Sequence, residues 1–143
     1  MNGSQIKAVI DTNVIFMSLY NPQSKAGRII QAALENKIKL YSTDSVKEEI
    51  LRVLKRELDF SDEEIELIII NLPIIWVEKG VYEDFISQAK VKHKPDKPVE
   101  ALSLVLNCGV LSANYHFKDR IDVDDFLKKI DNIEKIWNNK IIL

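Results

Sequence analysis

The sequence predicts an α/β domain on a mostly parallel central sheet. Three observations carry this. Short apolar runs alternate with longer stretches whose apolar residues recur every three or four positions. The first run, KAVI at residues 7–10, ends in three consecutive apolar residues, as a parallel strand covered on both faces requires. No repeat, low-complexity tract or obvious linker interrupts the 143 residues, and that length suits one domain with its own core.

The elements follow in order. Asp11 ends the first strand, and a helix begins near Thr12 or Asn13. Residues 24–37 space Ile29, Ile30, Ala33 and Leu34 like a helix, and IKLYS at 38–42 reads as a second strand. Residues 45–58 place Val46, Ile50, Val53 and Leu54 on one helical face. SDEE at 61–64 has the capping-box form, so Ser61 starts a helix that stops before Pro73. IIWVE at 74–78 is a third strand and YEDFISQAKV at 82–91 a further helix. The next helix, 98–107, opens on Pro98, a favoured residue in the first turn. GVLSA at 109–113 is a fourth short strand, and a polar helix and tail fill 122–143.

Composition narrows the function. The chain is 46% hydrophobic and 29% charged with a net charge of −2, so no global basic field recruits a polyanion. A nucleic-acid partner must be met by local cations or by metal ions. The single cysteine, Cys108, excludes an internal disulfide and a zinc-type cysteine spacing. The first residues lack the apolar core of a signal peptide, and no run is long enough to cross a bilayer. The expectation is a cytoplasmic protein with no membrane partner. Only four glycines occur, scattered, so no glycine-rich phosphate loop is present. That ranks a nucleotide-binding α/β domain last among the readings.

Three acids then stand out. Asp11 lies at the carboxyl end of the first strand, where ligands of open α/β sheets bind; it also suits a helix cap. On the helix at 45–58, residues advance about 100° each. Glu48 therefore projects opposite the apolar stripe, while Glu49 flanks it on the side of Ser45, Arg52 and Arg56. Glu49 either faces the sheet edge or pairs with Arg52 or Arg56 at helical spacing. Asp96 precedes the helix at Pro98, where the dipole favours a carboxylate. Each is unremarkable alone. Brought together, such acids call for a cation, and hard oxygen ligands suit Mg2+ or Mn2+.

With these residues the sequence resembles the PIN-domain family, small α/β ribonucleases that include the toxins of toxin–antitoxin pairs. VIDTNVIF at 9–16 resembles the family's opening strand, with Asp11 as its first acid and Asn13 as its frequent neighbouring Asn. SVKEEILRVL at 45–54 is similar to the second motif, an acid directly before an aliphatic residue, which implies Glu49. DKPVEALSLVL at 96–106 resembles the third motif, with Asp96 as the acid. The resemblance runs from Lys7 to Phe117. It implies a three-layer PIN-like fold over residues 1–143. It also implies a Mg2+- or Mn2+-dependent endoribonuclease cutting single-stranded RNA, with Asp11, Glu49 and Asp96 catalytic and metal-binding. A small antitoxin and a homodimer are further implied partners.

The fourth motif departs from the family pattern. Where the family has a hydroxyl, Asn and an acid, this chain reads SANYHF at 112–117. Ser112 matches the hydroxyl, Ala113 replaces the Asn, and Asn114 falls where the acid belongs. An amide accepts through its oxygen without charge, which weakens a second metal site. Asp119, or Glu100 one helical turn beyond Asp96, are candidate substitutes. The loss keeps a second reading open, a weakened PIN domain that binds RNA or protein without cutting. Asn13, Ser112, Arg52, Arg56, Lys94 and Lys97 are the candidate substrate-binding residues. His93 and His116 lack ligand-type spacing, though His116 could donate to phosphate. Tyr20, Trp76, Tyr82 and Phe85 read as packing residues.

Overall fold

The computed structural model describes residues 6–141. Five strands form one sheet, β1 (Ile6–Ile10), β2 (Ile38–Thr43), β3 (Ile74–Val77), β4 (Val110–Leu111) and β5 (Arg120–Ile121). Their order is β3-β2-β1-β4-β5, and every pairing is parallel. The expectation of a mostly parallel sheet is thus met in full. β1 is central because it is the strand that can be buried on both faces: Ala8, Val9 and Ile10 are wholly enclosed. It pairs Val9 with Tyr41 on one side and with Val110 on the other.

The helices are α1 (Thr12–Tyr20), α2 (Lys25–Leu34), α3 (Asp44–Arg56), α4 (Asp62–Asn71), α5 (Lys79–Tyr82), α6 (Lys97–Leu106) and α7 (Val123–Ile141). α2 and α3 pack on β2 and β3, whereas α6 packs on β1, β2 and β4. Right-handed crossovers put these two groups on opposite faces of the sheet, which makes three layers. α7 returns along α2, tied by Lys25 to Asp124 and by Lys37 to Glu134. The core unites Ile10, Ile15, Ile29, Leu40, Ile50, Leu102 and Phe126. Ser61 forms the expected capping box with Glu64, each accepting from the other's backbone N–H. Ser24 and Thr43 cap α2 and α3 through their hydroxyls.

Three local expectations need correction. The helix expected over 82–91 begins earlier, as α5, and continues from Glu83 to Gln88 as a 3-10 helix. The reason is packing: Tyr82 is buried and donates its hydroxyl to Asp44 at the start of α3, which fixes the first turn. The fourth strand shrinks to Val110–Leu111, because Ser112 turns its hydroxyl onto Asp11 and ends the ladder. The fifth strand, Arg120–Ile121, is too short to show a period in sequence. Gly109 fits its side of that pairing closely: a Cβ there would meet the Ile121 side chain at 2.5 Å.

Candidate active site

The chain winds outward from β1 to β2 and β3, then jumps back to place β4 on the other side of β1. The reversal makes a switch point beyond the carboxyl ends of β1 and β4, the place where such sheets open a crevice. Asp11 follows β1 and Ser112 follows β4, and the Ser112 hydroxyl donates to Asp11 Oδ2 across the gap at 2.8 Å. Asn13 spans the same gap. Its Nδ2 reaches Asp11 Oδ2 and Ser112 Oγ at 3.5 Å each, and its Oδ1 accepts from Ala113 N at 3.2 Å.

A cleft of about 540 Å³ opens beside Asp11, lined also by Thr12, Glu49, Arg52, His93 and Asp96. Three separate segments deliver the acids: the end of β1, the second turn of α3 and the start of α6. Asp11 is both cap and cleft wall. Its Oδ1 accepts from Thr12 N at 2.8 Å, while the residue is only 6% exposed. Glu49 is not paired with Arg52 or Arg56 among the described residues; its Oε1 accepts from Thr12 Oγ1 at 2.8 Å. Asp96 precedes α6 without making a side-chain cap bond, and its Oδ2 lies 3.2 Å from His93 Nδ1. Burial holds the Asp11 carboxyl above its ordinary pKa. The Ser112 and Thr12 bonds pull the other way, and repulsion from Asp96 and Glu49 adds to the rise. Glu49 and Asp96 therefore act on Asp11 electrostatically, and a cation nearby would relieve both burial and repulsion.

Other expected residues are distributed differently. Glu48 lines the same cleft as Glu49, because the cleft is wide enough to take in both flanks of α3. Arg56 lies in the last turn of α3, away from the cleft lining. Lys94 is exposed, and Lys97 reaches back to Ala89 O at 3.5 Å, so neither lines the cleft. Asn114 contributes its backbone N–H, which donates to Ser112 Oγ at 2.9 Å, and its side chain does not line the cleft. The two substitutes for a fourth acid are also placed elsewhere. Glu100 points to the far side of α6, where its Oε2 accepts from Lys90 N and Val91 N. Asp119 shares a separate hollow with Glu100. Thr12 was missed by the sequence reading, although a hydroxyl directly after a strand-end acid is a legible signal.

Among the described residues, no three acidic, histidine or cysteine side chains stand close enough to hold one ion as they are placed. Each acid instead meets a protein donor: Ser112, Thr12 or His93. The donor chemistry nevertheless suits a hard divalent cation, since carboxylate oxygens dominate the cleft.

A family model for the PIN domain matches residues 7–126. The chain belongs to the PIN-domain family. The central parallel sheet and three layers are the PIN-like architecture. PIN domains are nuclease-type in general, generally use divalent metal ions and typically bind RNA. The chain is also similar to uncharacterized protein MJ1680 of Methanocaldococcus jannaschii, with 42% identity over 50 residues. That match covers 35% of this chain and 32% of the relative, so the PIN chain spans about a third of it. No helix among the described residues of this PIN domain is long and apolar enough to cross a membrane.

Proposed function

We propose that the chain, taken as one domain over residues 1–143, is a divalent-metal-dependent endoribonuclease acting on single-stranded RNA in the cytoplasm. The observation that carries this reading is the convergence of Asp11, Glu49 and Asp96 on one cleft at the switch point of the sheet. These three carboxylates would hold Mg2+ or Mn2+. When bound, such an ion supplies Lewis acidity at the phosphate and a lowered pKa for the attacking water. Ser112 and Asn13 keep the Asp11 carboxylate turned into the cleft. Thr12 does the same for Glu49. Arg52 lines the cleft wall and is the cation positioned to orient a phosphodiester there.

The test is cleavage of single-stranded RNA with Mn2+, comparing the native chain with Asp11→Asn, Glu49→Gln and Asp96→Asn. Each variant should lose activity by about 100-fold or more, the range for removing a group that stabilises transition-state charge. Equal cleavage by native and Asp11→Asn proteins would sink the role of Asp11. A second reading, a binding module with weakened catalysis, draws support from the side chains of Asn114, Glu100 and Asp119, none of which lines the cleft. RNA binding without cleavage under any divalent ion would establish it.

A pairing surface for a small antitoxin or a second copy, which a toxin role would use, has separate support. Leu19, Ile30, Leu34, Leu67, Ile68 and Leu72 line a groove of about 440 Å³ between α1, α2 and α4. Leu34 and Leu67 are 52% and 63% exposed, apolar surface of the kind that interaction sites present. Light scattering of the native chain and Leu67→Glu reads this directly: a pairing surface there gives a dimer that the charge dissociates.

A further inference from the structure

A second hollow opens beside the catalytic cleft. It encloses about 530 Å³ and is lined by Lys90, Val91, Lys92, His93 and His116. Four of those five side chains carry nitrogen donors. His93 lines both this hollow and the cleft, so the two share a wall. Both histidines turn Nδ1 toward the same atom, Asp96 Oδ2, at 3.2 Å from His93 and 3.9 Å from His116. Each ring keeps Nε2 on its far side, and the two side chains are 61% and 59% exposed.

Tyr115 adjoins His116 and is 82% exposed. An open aromatic side chain on a loop usually wanders, but this one is held. The Arg120 guanidinium lies 4.2 Å from its ring centroid, a cation–π contact. Arg120 Nε donates to Ser112 O at 2.8 Å, and Ser112 Oγ donates to Asp11. The ring is therefore tied through two residues to the first acid of the site. One face rests on Arg120 and the remainder meets solvent.

We propose that the hollow and Tyr115 form a subsite for single-stranded RNA beside the scissile position. Lys90, Lys92 and His116 receive a backbone phosphate, and Tyr115 stacks an unpaired base. The subsite rests on the nuclease reading of the Asp11 cleft. The chemistry selects a single strand, because a paired base hides its face in the helix stack whereas an unpaired one can lie on an aromatic ring. It also answers the charge problem: a chain of net charge −2 meets a polyanion through a local group of cations. Of the lysines in the KVKHKPDK stretch at 90–97, all of which the sequence offers as phosphate contacts, Lys90 and Lys92 line the hollow and Lys94 and Lys97 do not.

The experiment uses the full chain carrying Asp11→Asn, in EDTA, so that nothing is cut. Anisotropy of a fluorescein-labelled oligouridylate reads binding. Adding Tyr115→Ala should weaken binding about 5- to 100-fold, while Tyr115→Phe, which keeps the ring, should stay within about twofold. Lys92→Gln should weaken binding and lower the salt slope by about 0.7. An abasic oligonucleotide should lose affinity at one register with the Asp11→Asn protein and at none once Tyr115 is alanine. Binding by the Tyr115→Ala protein within about twofold of its parent, with near-UV circular dichroism unchanged, overturns the subsite; so does a parent that binds no RNA. Cleavage by the native chain with Mn2+ separates the two claims. Cleavage with Tyr115-independent binding removes the subsite and leaves the nuclease. Tyr115-dependent binding without cleavage does the reverse.

Discussion

Asp11→Asn should abolish activity and, without divalent ions, make the protein more stable. The substitution removes a charge and keeps the shape. Asparagine caps a helix about as well as aspartate, so the bond from Thr12 N survives. The loss is the charge assistance of the Thr12 bond, and the Ser112 bond as it stands. An amide nitrogen at the Oδ2 position accepts from neither Ser112 nor Asn13, so Ser112 Oγ must turn to accept from it, a cost of about 1–2 kcal/mol in all. The gain is release of a buried carboxylate whose desolvation costs several kcal/mol before compensation. The raised pKa of Asp11 decides between them: burial outweighs the bonds that favour the charge. The sign with pH follows. The folded chain holds this proton more tightly than the unfolded one, so stability falls as pH rises from 3.8 through the raised pKa. Below that window both proteins carry a neutral group and their difference disappears. Above it the variant should lead by about 0.5–2 kcal/mol, or roughly 2–6 °C in Tm. Mn2+ should reverse the order. At a free concentration of about 100 times Kd an ion adds about 2.7 kcal/mol to the protein that binds it, and the variant lacks a ligand. Urea and thermal unfolding of both proteins, at pH 4 and 7 and with or without Mn2+, measure each arm. A variant less stable than the native chain at pH 7 without ions would refute the buried-charge argument. Equal stabilisation of both by Mn2+ would refute the ligand role.

Other outcomes follow from single contacts. Ser112→Ala removes a bond that lowers the Asp11 pKa, so the acid limb of the kcat/KM profile should move to higher pH, together with the carboxyl NMR titration; an unmoved titration contradicts the contact. Gly27→Ala would ordinarily gain about 1 kcal/mol inside a helix. Here its Cβ would stand 2.2 Å from Pro22 O, and overpacking should leave a net loss of about 1–3 kcal/mol in urea unfolding; a stabilised variant would show that the α1–α2 turn can yield. Glu100→Ala strands the N–H groups of Lys90 and Val91. It should cost about 2 kcal/mol and speed hydrogen exchange at those two amides, with unchanged protection counting against the anchor.

The legible parts were those governed by local rules. The capping box at Ser61, the apolar stripe of α3 and the unbroken apolar end of β1 each appear in a few consecutive residues, and each formed as read. The 3-10 segment from Glu83 to Gln88 was not legible, because a distant partner, Asp44, holds Tyr82 at its start. Helical phase distinguished Glu48 from Glu49 and left out the breadth of the cleft that both line. Glu100 shows the limit of spacing: one turn from Asp96 is the right separation, but buried backbone N–H groups behind α6 compete for its carboxylate.

By itself the sequence determined the alternation of strands and helices, the caps, and three acids on three separate segments. Those depend on neighbours within one or two turns. The tertiary structure alone decided the convergence, because strand order sets which chain ends meet. β4 lies beside β1, so Ser112 reaches an acid 101 residues away. The same placement brings His93 and His116 to one oxygen of Asp96 and sets Arg120 against the Tyr115 ring.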